Sequence, residues 1–524
     1  MPTGSCDGSG SAVTDMVVAP EEGSAHVVSP AIADDDRVFQ EYLSNEPSNR
    51  NRRMIRSHPT MGDSMPEARP ILFNIVPKRG QREAESRLLA QSHLKGLEEL
   101  VAPYQQDLVD LFFSKVNICF PVFDEFMFQR VFTASKDSMS PSLLCYVYGN
   151  AMTYWKSSER LMTVPAPEQR SAWLHAEDAL NAEWKSTPGI SMILSIILNL
   201  CGRPSSHYLG NGVLLGMAVA LANSAGLNRD PSPWNLSPYE KRFRIRIWWL
   251  LVIYDVWSSW AYGTPHRIRR SHYDVPTPTT EDIVGPSASN EHTAGASCFV
   301  SLIALTQVLV HGLEHVYHLS GGGPNTEEVC SDLDSLLVIW EDSLPDDLRR
   351  PIIRGIRLSG HGTANLRLAY LSVKLLICRV QLDWDNSVCR DDISSRHYVQ
   401  ARRVCEDIVD FVQELDEASI GGFWLPPTAH SLTSATTFLM RTALRSRGSM
   451  RNPSLKFART MVDTLASYRR LYDFDIADNC LSNCGDLIDK VELACNTMDP
   501  ALADWELSLL EGIDFTALHE TVHY

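Results

Sequence analysis

The chain has 524 residues, 44% hydrophobic and 21% charged, which is a globular composition and excludes a wholly disordered, collagen-like or disulfide-scaffold chain. Its 47 Lys and Arg face 64 Asp and Glu, a net charge of −17. A globally basic surface for nucleic acid is thereby excluded, though a local patch is not.

Residues 1–85 are rich in Gly, Ser, Pro, Asp and Arg with few periodic apolar positions, which predicts a disordered arm. Within it, Arg50, Arg52, Arg53 and Arg56 form a candidate nuclear-localisation cluster or phosphate-touching arm. The plainer alternative is a solvated linker.

From 86 to 497 the pattern reads as helix after helix, and the expected fold class is all-α. Leu88, Leu89, Leu94, Leu97, Leu100 and Val101 recur near a 3.6 period. A second helix carries Leu108 to Val116 and ends at Phe120-Pro121-Val122-Phe123, where proline removes a donor and restricts its neighbour. Asp124 is placed to cap the next. Ser191–Leu200 and Asn211–Ala225 are apolar almost all round and are expected to be buried core helices, the second stopped by Gly226. Ser237-Pro238-Tyr239-Glu240 has capping-box spacing and opens a helix ended by Gly263. Residues 281–296 are expected to be a surface loop. Helices are expected again at 297–319, 327–342, 365–383, 397–415, 428–447 and 454–471. No strand series stands out.

The tail, 498–524, changes character. It holds Asp499, Asp504, Glu506, Glu511, Asp514 and Glu520 and no Lys or Arg. Trp505, Leu509, Leu510 and Phe515 are interleaved among them, the composition of an activation segment that enters a partner groove as a short amphipathic helix. The alternative is a terminal helix docked on the body.

The twelve cysteines are spread singly, several in apolar helical patterns such as Ile377-Cys378, where a thiol acts as a small hydrophobe; this suits a reducing compartment. The first residues have neither the basic nor the apolar part of a secretory signal. Apolar runs such as Val213–Ala222 fall short of the roughly 20 residues of a span. A soluble intracellular protein is expected.

Catalytic wording is sparse. His519-Glu520-Thr521-Val522-His523 spells H-E-x-x-H, whose paired histidines and glutamate serve zinc proteases. A third ligand and a cleft are also required. His311, His315 and His318 share a helical face and read as ordinary histidines. Gly210-Asn211-Gly212 lacks the strand and spacing of a dinucleotide loop, and Gly216 reads as a close-packing position. No Walker loop, nucleophile elbow or C-x-x-C occurs, so no enzyme is expected and no cofactor is assigned.

The most distinctive wording falls between 213 and 278. Asp255 lies on an apolar helix face and needs a partner if buried. Arg244 is eleven residues away, roughly 16 Å along a helix, so the expected partner is Arg267 or Arg269 folding back from the following turn.

This stretch resembles the middle homology region of fungal binuclear zinc-cluster transcription factors. Ala222, Gly226, Leu227, Asn228, Arg229 and Asp230 match its A-x-x-x-G-L-(H/N)-R-D. Arg246, Trp248, Trp249 and Asp255 match R-x-W-W and its later Asp; Gly263, Pro265, Asp274 and Pro278 complete the series. Phe113, Phe120, Pro121, Val122 and Phe128 resemble the family's opening segment, and Leu368, Ala369, Tyr370 and Leu376 a later helix. Val256 and Thr264 stand where the family often has Arg.

The resemblance implies a nuclear regulator of RNA polymerase II transcription in a fungus, with an all-α regulatory body over 86–497. The family's DNA reader is a six-cysteine module holding two zinc ions, but Cys6 alone precedes Cys119. The expectation is therefore a regulator acting through a partner (a zinc-cluster factor or a second copy), or a piece of a longer protein, with DNA contacted indirectly. Coactivator and a small-molecule effector are the other expected partners, with no membrane role. The competing reading is a helical sensing or protein-interaction module without a DNA role.

Overall fold

A computed structural model describes residues 24–27, 54–56, 71–76, 80–185, 189–203, 208–234, 236–284, 288–318, 326–358, 360–388, 396–445 and 453–497. The cluster residues Arg50, Arg52 and Arg53, the H-E-x-x-H at 519–523 and the acidic tail with Trp505, Leu509, Leu510 and Phe515 lie outside them.

Three strands, β1 (Ser24–Val27), β2 (Met54–Arg56) and β3 (Ile71–Val76), form an antiparallel sheet in the order β1-β3-β2. Ser24 pairs with Val76 and Met54 with Phe73. These three short strands lie within the arm expected over 1–85. The run Ile71-Leu72-Phe73-Asn74-Ile75-Val76 is β-branched and aromatic, which is the composition of a strand. Arg56 ends β2.

The rest is helical: α1 (Gly80–Val101), α2 (Gln105–Phe112), α3 (Glu125–Ser135), α4 (Pro141–Met152), α5 (Gln169–Trp184), α6 (Ile190–Leu200), α7 (Tyr208–Ser224), α8 (Pro238–Tyr262), α9 (Thr280–Val284), α10 (Asn290–Val316), α11 (Thr326–Ser343), α12 (Asp346–Arg354), α13 (Thr363–Val388), α14 (Arg396–Gln413), α15 (Glu417–Ile420), α16 (His430–Arg445), α17 (Pro453–Tyr472) and α18 (Asp478–Thr497). Two compact units emerge: Met1–Asp255 with Arg267–Ala296, and Val256–His266 with Ser297–Tyr524.

In the first unit α4 packs against α1, α2, α5 and α6, and every residue of α4 is buried. Phe112, Phe113, Phe123 and Phe128 make edge and tilted ring contacts. A π-helical turn at Phe113–Asn117 follows α2. Asn117 then clamps the Phe-Pro-Val-Phe loop, its Nδ2 donating to Phe123 O (3.0 Å) and its Oδ1 accepting from Phe123 N (2.8 Å). Asp124 caps α3 through Met127 N, as its position predicts. Glu183, half-buried near the end of α5, accepts from Ser140 and Ser142 at the start of α4; desolvation, its largest influence, raises its pKa.

Two helical expectations need correction. The segment 281–296 is not a loop throughout: it holds most of α9 and the first turns of α10. Its small residues serve packing, since a Cβ on Gly295 would meet Ile118 O at 2.2 Å. Helix α7 is buried on one face only. Leu215, Ala218 and Ala222 are buried, whereas Leu209 is 90% and Val213 66% exposed.

In the second unit α13 packs with α11, α12 and α14, and α16 with α14, α17 and α18. Tyr370, on α13, stacks on Trp340 at 5.5 Å and donates to Glu341. Leu425 N donates to Asn365 Oδ1, so the Phe423-Trp424-Leu425-Pro426 segment is fastened to the start of α13. The described cysteines are mostly buried thiols; burial pushes those of Cys201, Cys298 and Cys378 up to about 12. Helix α10 has the length and mean hydropathy (1.8) of a span, but 61% of that stretch is buried within the protein, as in a core helix. Among the described residues no three or more His, Cys, Asp or Glu side chains group as a metal site. His318 falls beyond the end of α10.

Candidate functional site

The residues singled out between 213 and 278 converge on α8. Ser237 caps its start, accepting from Glu240 N (3.2 Å). Gly226 (φ +66°) and Gly263 (φ +70°) end α7 and α8 in the left-handed region, where a side chain is costly. Arg244 donates to Ala225 O at the end of α7, pairs with Glu240 and lies over the Trp234 ring. Arg246 is buried and donates to Ile283 O in the last turn of α9, a cation at a helix C-terminus; burial lowers its pKa.

Beyond α8 the chain returns as a strap, residues 267–276, fastened twice. The first fastening is Asp255, fully buried. Its Oδ2 accepts from Arg267 N (2.7 Å) and Ile268 N (2.6 Å), and Oδ1 faces Arg267 Nη1 at 3.3 Å. Of the two partners the sequence allows, Arg267 is the one the fold uses. Burial is the largest influence on Asp255 and raises its pKa; the Ile268 and Arg267 amides and the guanidinium oppose it. Arg267 continues across α7, donating to Gly212 O (3.0 Å). Cβ atoms on Gly212 and Gly216 would stand 3.4 and 3.6 Å from its guanidinium. The close approach at Gly216 is thus to a side chain, with nothing of a dinucleotide loop.

The second fastening joins the two ends of the motif. Arg229 Nε and Nη2 reach both oxygens of Asp274 at 3.0–3.2 Å, and Asp230 N donates to Asp274 Oδ1 (2.6 Å). Asn228 Nδ2 donates to His272 O, and Asp274 N to Asn228 O. Between the fastenings Tyr273 packs on Trp248 (5.4 Å) and Trp249 (5.9 Å), while Trp249 Nε1 donates to Pro276 O (2.8 Å). Gly226, Arg229, Asp230, Trp248, Trp249, Asp255 and Asp274 are therefore one bonded assembly, to which the structure adds Asn228, Arg267 and Tyr273. Arg246, also on α8, lies to one side and bonds to α9 through Ile283 O. Gly263 and Pro265 lie in the second unit's turn, where Ser259 Oγ donates to Thr264 O.

The family model for the fungal specific transcription factor domain matches residues 109–337, a span that contains the whole strap. The likeness to that domain covers less than half of the chain. Among curated proteins the chain is 23% identical over 428 residues to an uncharacterized transcriptional regulatory protein of Schizosaccharomyces pombe, covering 79% of this chain and 61% of the relative. It is 22% identical over 387 residues to the transcriptional activator protein DAL81 of Saccharomyces cerevisiae, covering 65% and 40%. The acetamidase regulatory protein of Emericella nidulans is 24% identical over 332 residues, covering 60% and 39%. The chain thus spans roughly two fifths to three fifths of these relatives. Within the matched span the motif residues bond to one another, so in this state their chemistry fastens the fold.

Proposed function

We propose that this chain is a nuclear regulator of RNA polymerase II transcription in a fungus and not an enzyme. The observation that carries the reading is the matched span at 109–337, within which the motif's two ends are tied by Arg229 and Asp274. The relatives' names, transcriptional regulatory proteins and an activator, support the same class. In this reading the helical body is the regulatory part and Arg50, Arg52, Arg53 and Arg56 direct nuclear entry. The acidic segment with Trp505, Leu509, Leu510 and Phe515 contacts coactivator. Contact with DNA comes from a partner factor or a second copy, and a small-molecule effector acts on the body.

The test fuses the full chain to a heterologous DNA-binding domain in a yeast carrying a reporter. The expected result is altered reporter transcription that is lost when Trp505, Leu509, Leu510 and Phe515 are all changed to Ala. A reporter unmoved by the well-expressed fusion would overturn the reading. Nuclear signal from a tagged chain, diminished when the four arginines become Ala, checks the address separately.

A further inference from the structure

On a chain of net charge −17, the strap's Arg267-Ile268-Arg269-Arg270-Ser271-His272 holds three arginines and no acid. Arg269, Arg270, Ser271 and His272 are all exposed. Ser271 sits at the middle of a three-residue 3-10 turn, Arg270–His272, between extended residues: Arg269 (φ −89°, ψ 143°) and Tyr273 (φ −145°, ψ 153°). The turn is closed by His272 N donating to Arg269 O (2.9 Å). An exposed hydroxyl preceded by exposed arginines one and two residues earlier, in a segment one short turn from extended, presents what a kinase with an acidic substrate groove reads.

We propose that Ser271 is an acceptor for a basophilic serine kinase and that its phosphate unfastens the Arg229–Asp274 end of the strap. In the transfer, Ser271 Oγ forms a bond to the γ-phosphorus of ATP while the bond to the β,γ-bridging oxygen breaks. ADP leaves, and the hydroxyl proton passes to the kinase's base. The product carries about −1.5 to −2 charge at pH 7, three residues from the Asp274 carboxylate. It repels that carboxylate and offers Arg229 and Arg270 a stronger acceptor than Asp274 and Tyr273 O, which they now hold. The Asp255 end, bonded through a fully buried carboxylate, stays closed.

The experiment incubates the purified full chain with Mg-ATP and the catalytic subunit of cyclic-AMP-dependent protein kinase, maps phosphate by mass spectrometry and follows amide exchange. The expected result is phosphate on Ser271, absent in Ser271→Ala and reduced in Arg269→Gln, both variants melting as the parent does. Exchange should quicken at 272–276 and stay unchanged at Arg267 and Ile268. Absence of phosphate from Ser271 in the folded chain overturns the acceptor assignment, most plainly if a peptide of residues 264–276 is modified under the same conditions. Phosphate on Ser271 with unaltered exchange at 272–276 overturns the unfastening.

Discussion

Asp255 and Asp274 hold the two ends of one strap with the same chemistry: each accepts from backbone amide and guanidinium. Asp255 is 0% exposed and its arginine 33%; Asp274 is 50% exposed and its arginine 34%. Burial turns the first into a committed joint. Losing its carboxylate strands the buried Ile268 amide and takes the acceptor from the part-buried Arg267 amide, whereas an exposed carboxylate's partners are rescued by solvent. The end made for permanence and the end that can be released are thus set by exposure alone.

That contrast is open to direct attack. Asp255→Ala is expected to destabilise the chain by about 3 kcal/mol, read as a lower urea midpoint of intrinsic tryptophan fluorescence. A shift no greater than that of Asp274→Ala would break the comparison. Arg267→Ala is expected to cost about 2 kcal/mol, since Asp255 keeps its amide donors while α7 loses the side chain laid across Gly212 and Gly216. Asp274→Ala is expected to cost about 1 kcal/mol, and the loss shrinks as salt is raised, because the pair it removes is exposed and screened.

A smaller effect sharpens the same point through pH. The pKa of Asp255 is raised above 3.8 chiefly by burial. A carboxyl raised on folding contributes stability that is full below its unfolded pKa and is lost as pH rises through its folded value. The chain should therefore gain stability relative to Asp255→Asn as pH falls from neutral toward 3.8, measured by paired urea titrations. A constant difference across that range would contradict the burial argument.

How much of this could be read from the sequence follows from range. Asp255 on an apolar face demands a partner, and the reach of one helix narrows it to the following turn, so Arg267 was within sight. Arg229 and Asp274 are 45 apart, and no periodicity links them; their order in the family pattern marks both but not their pairing. Tyr273 carries no signal until Trp248 and Trp249 are seen against it. Composition misled where small residues serve contact: Gly295 reads as loop and is a helix-packing position against Ile118. The face of α7 shows the opposite failure, because an all-apolar helix does not reveal that Leu209 and Val213 stay outside.

The most direct test compares amide exchange at Arg267, Ile268 and Asp230 in the parent, Asp255→Ala and Asp274→Ala under native conditions. The account predicts that Asp255→Ala frees Arg267 and Ile268, while Asp274→Ala frees Asp230 and leaves the other two protected. Arg267 and Ile268 amides still protected in Asp255→Ala would contradict the claim that the buried carboxylate fastens the strap.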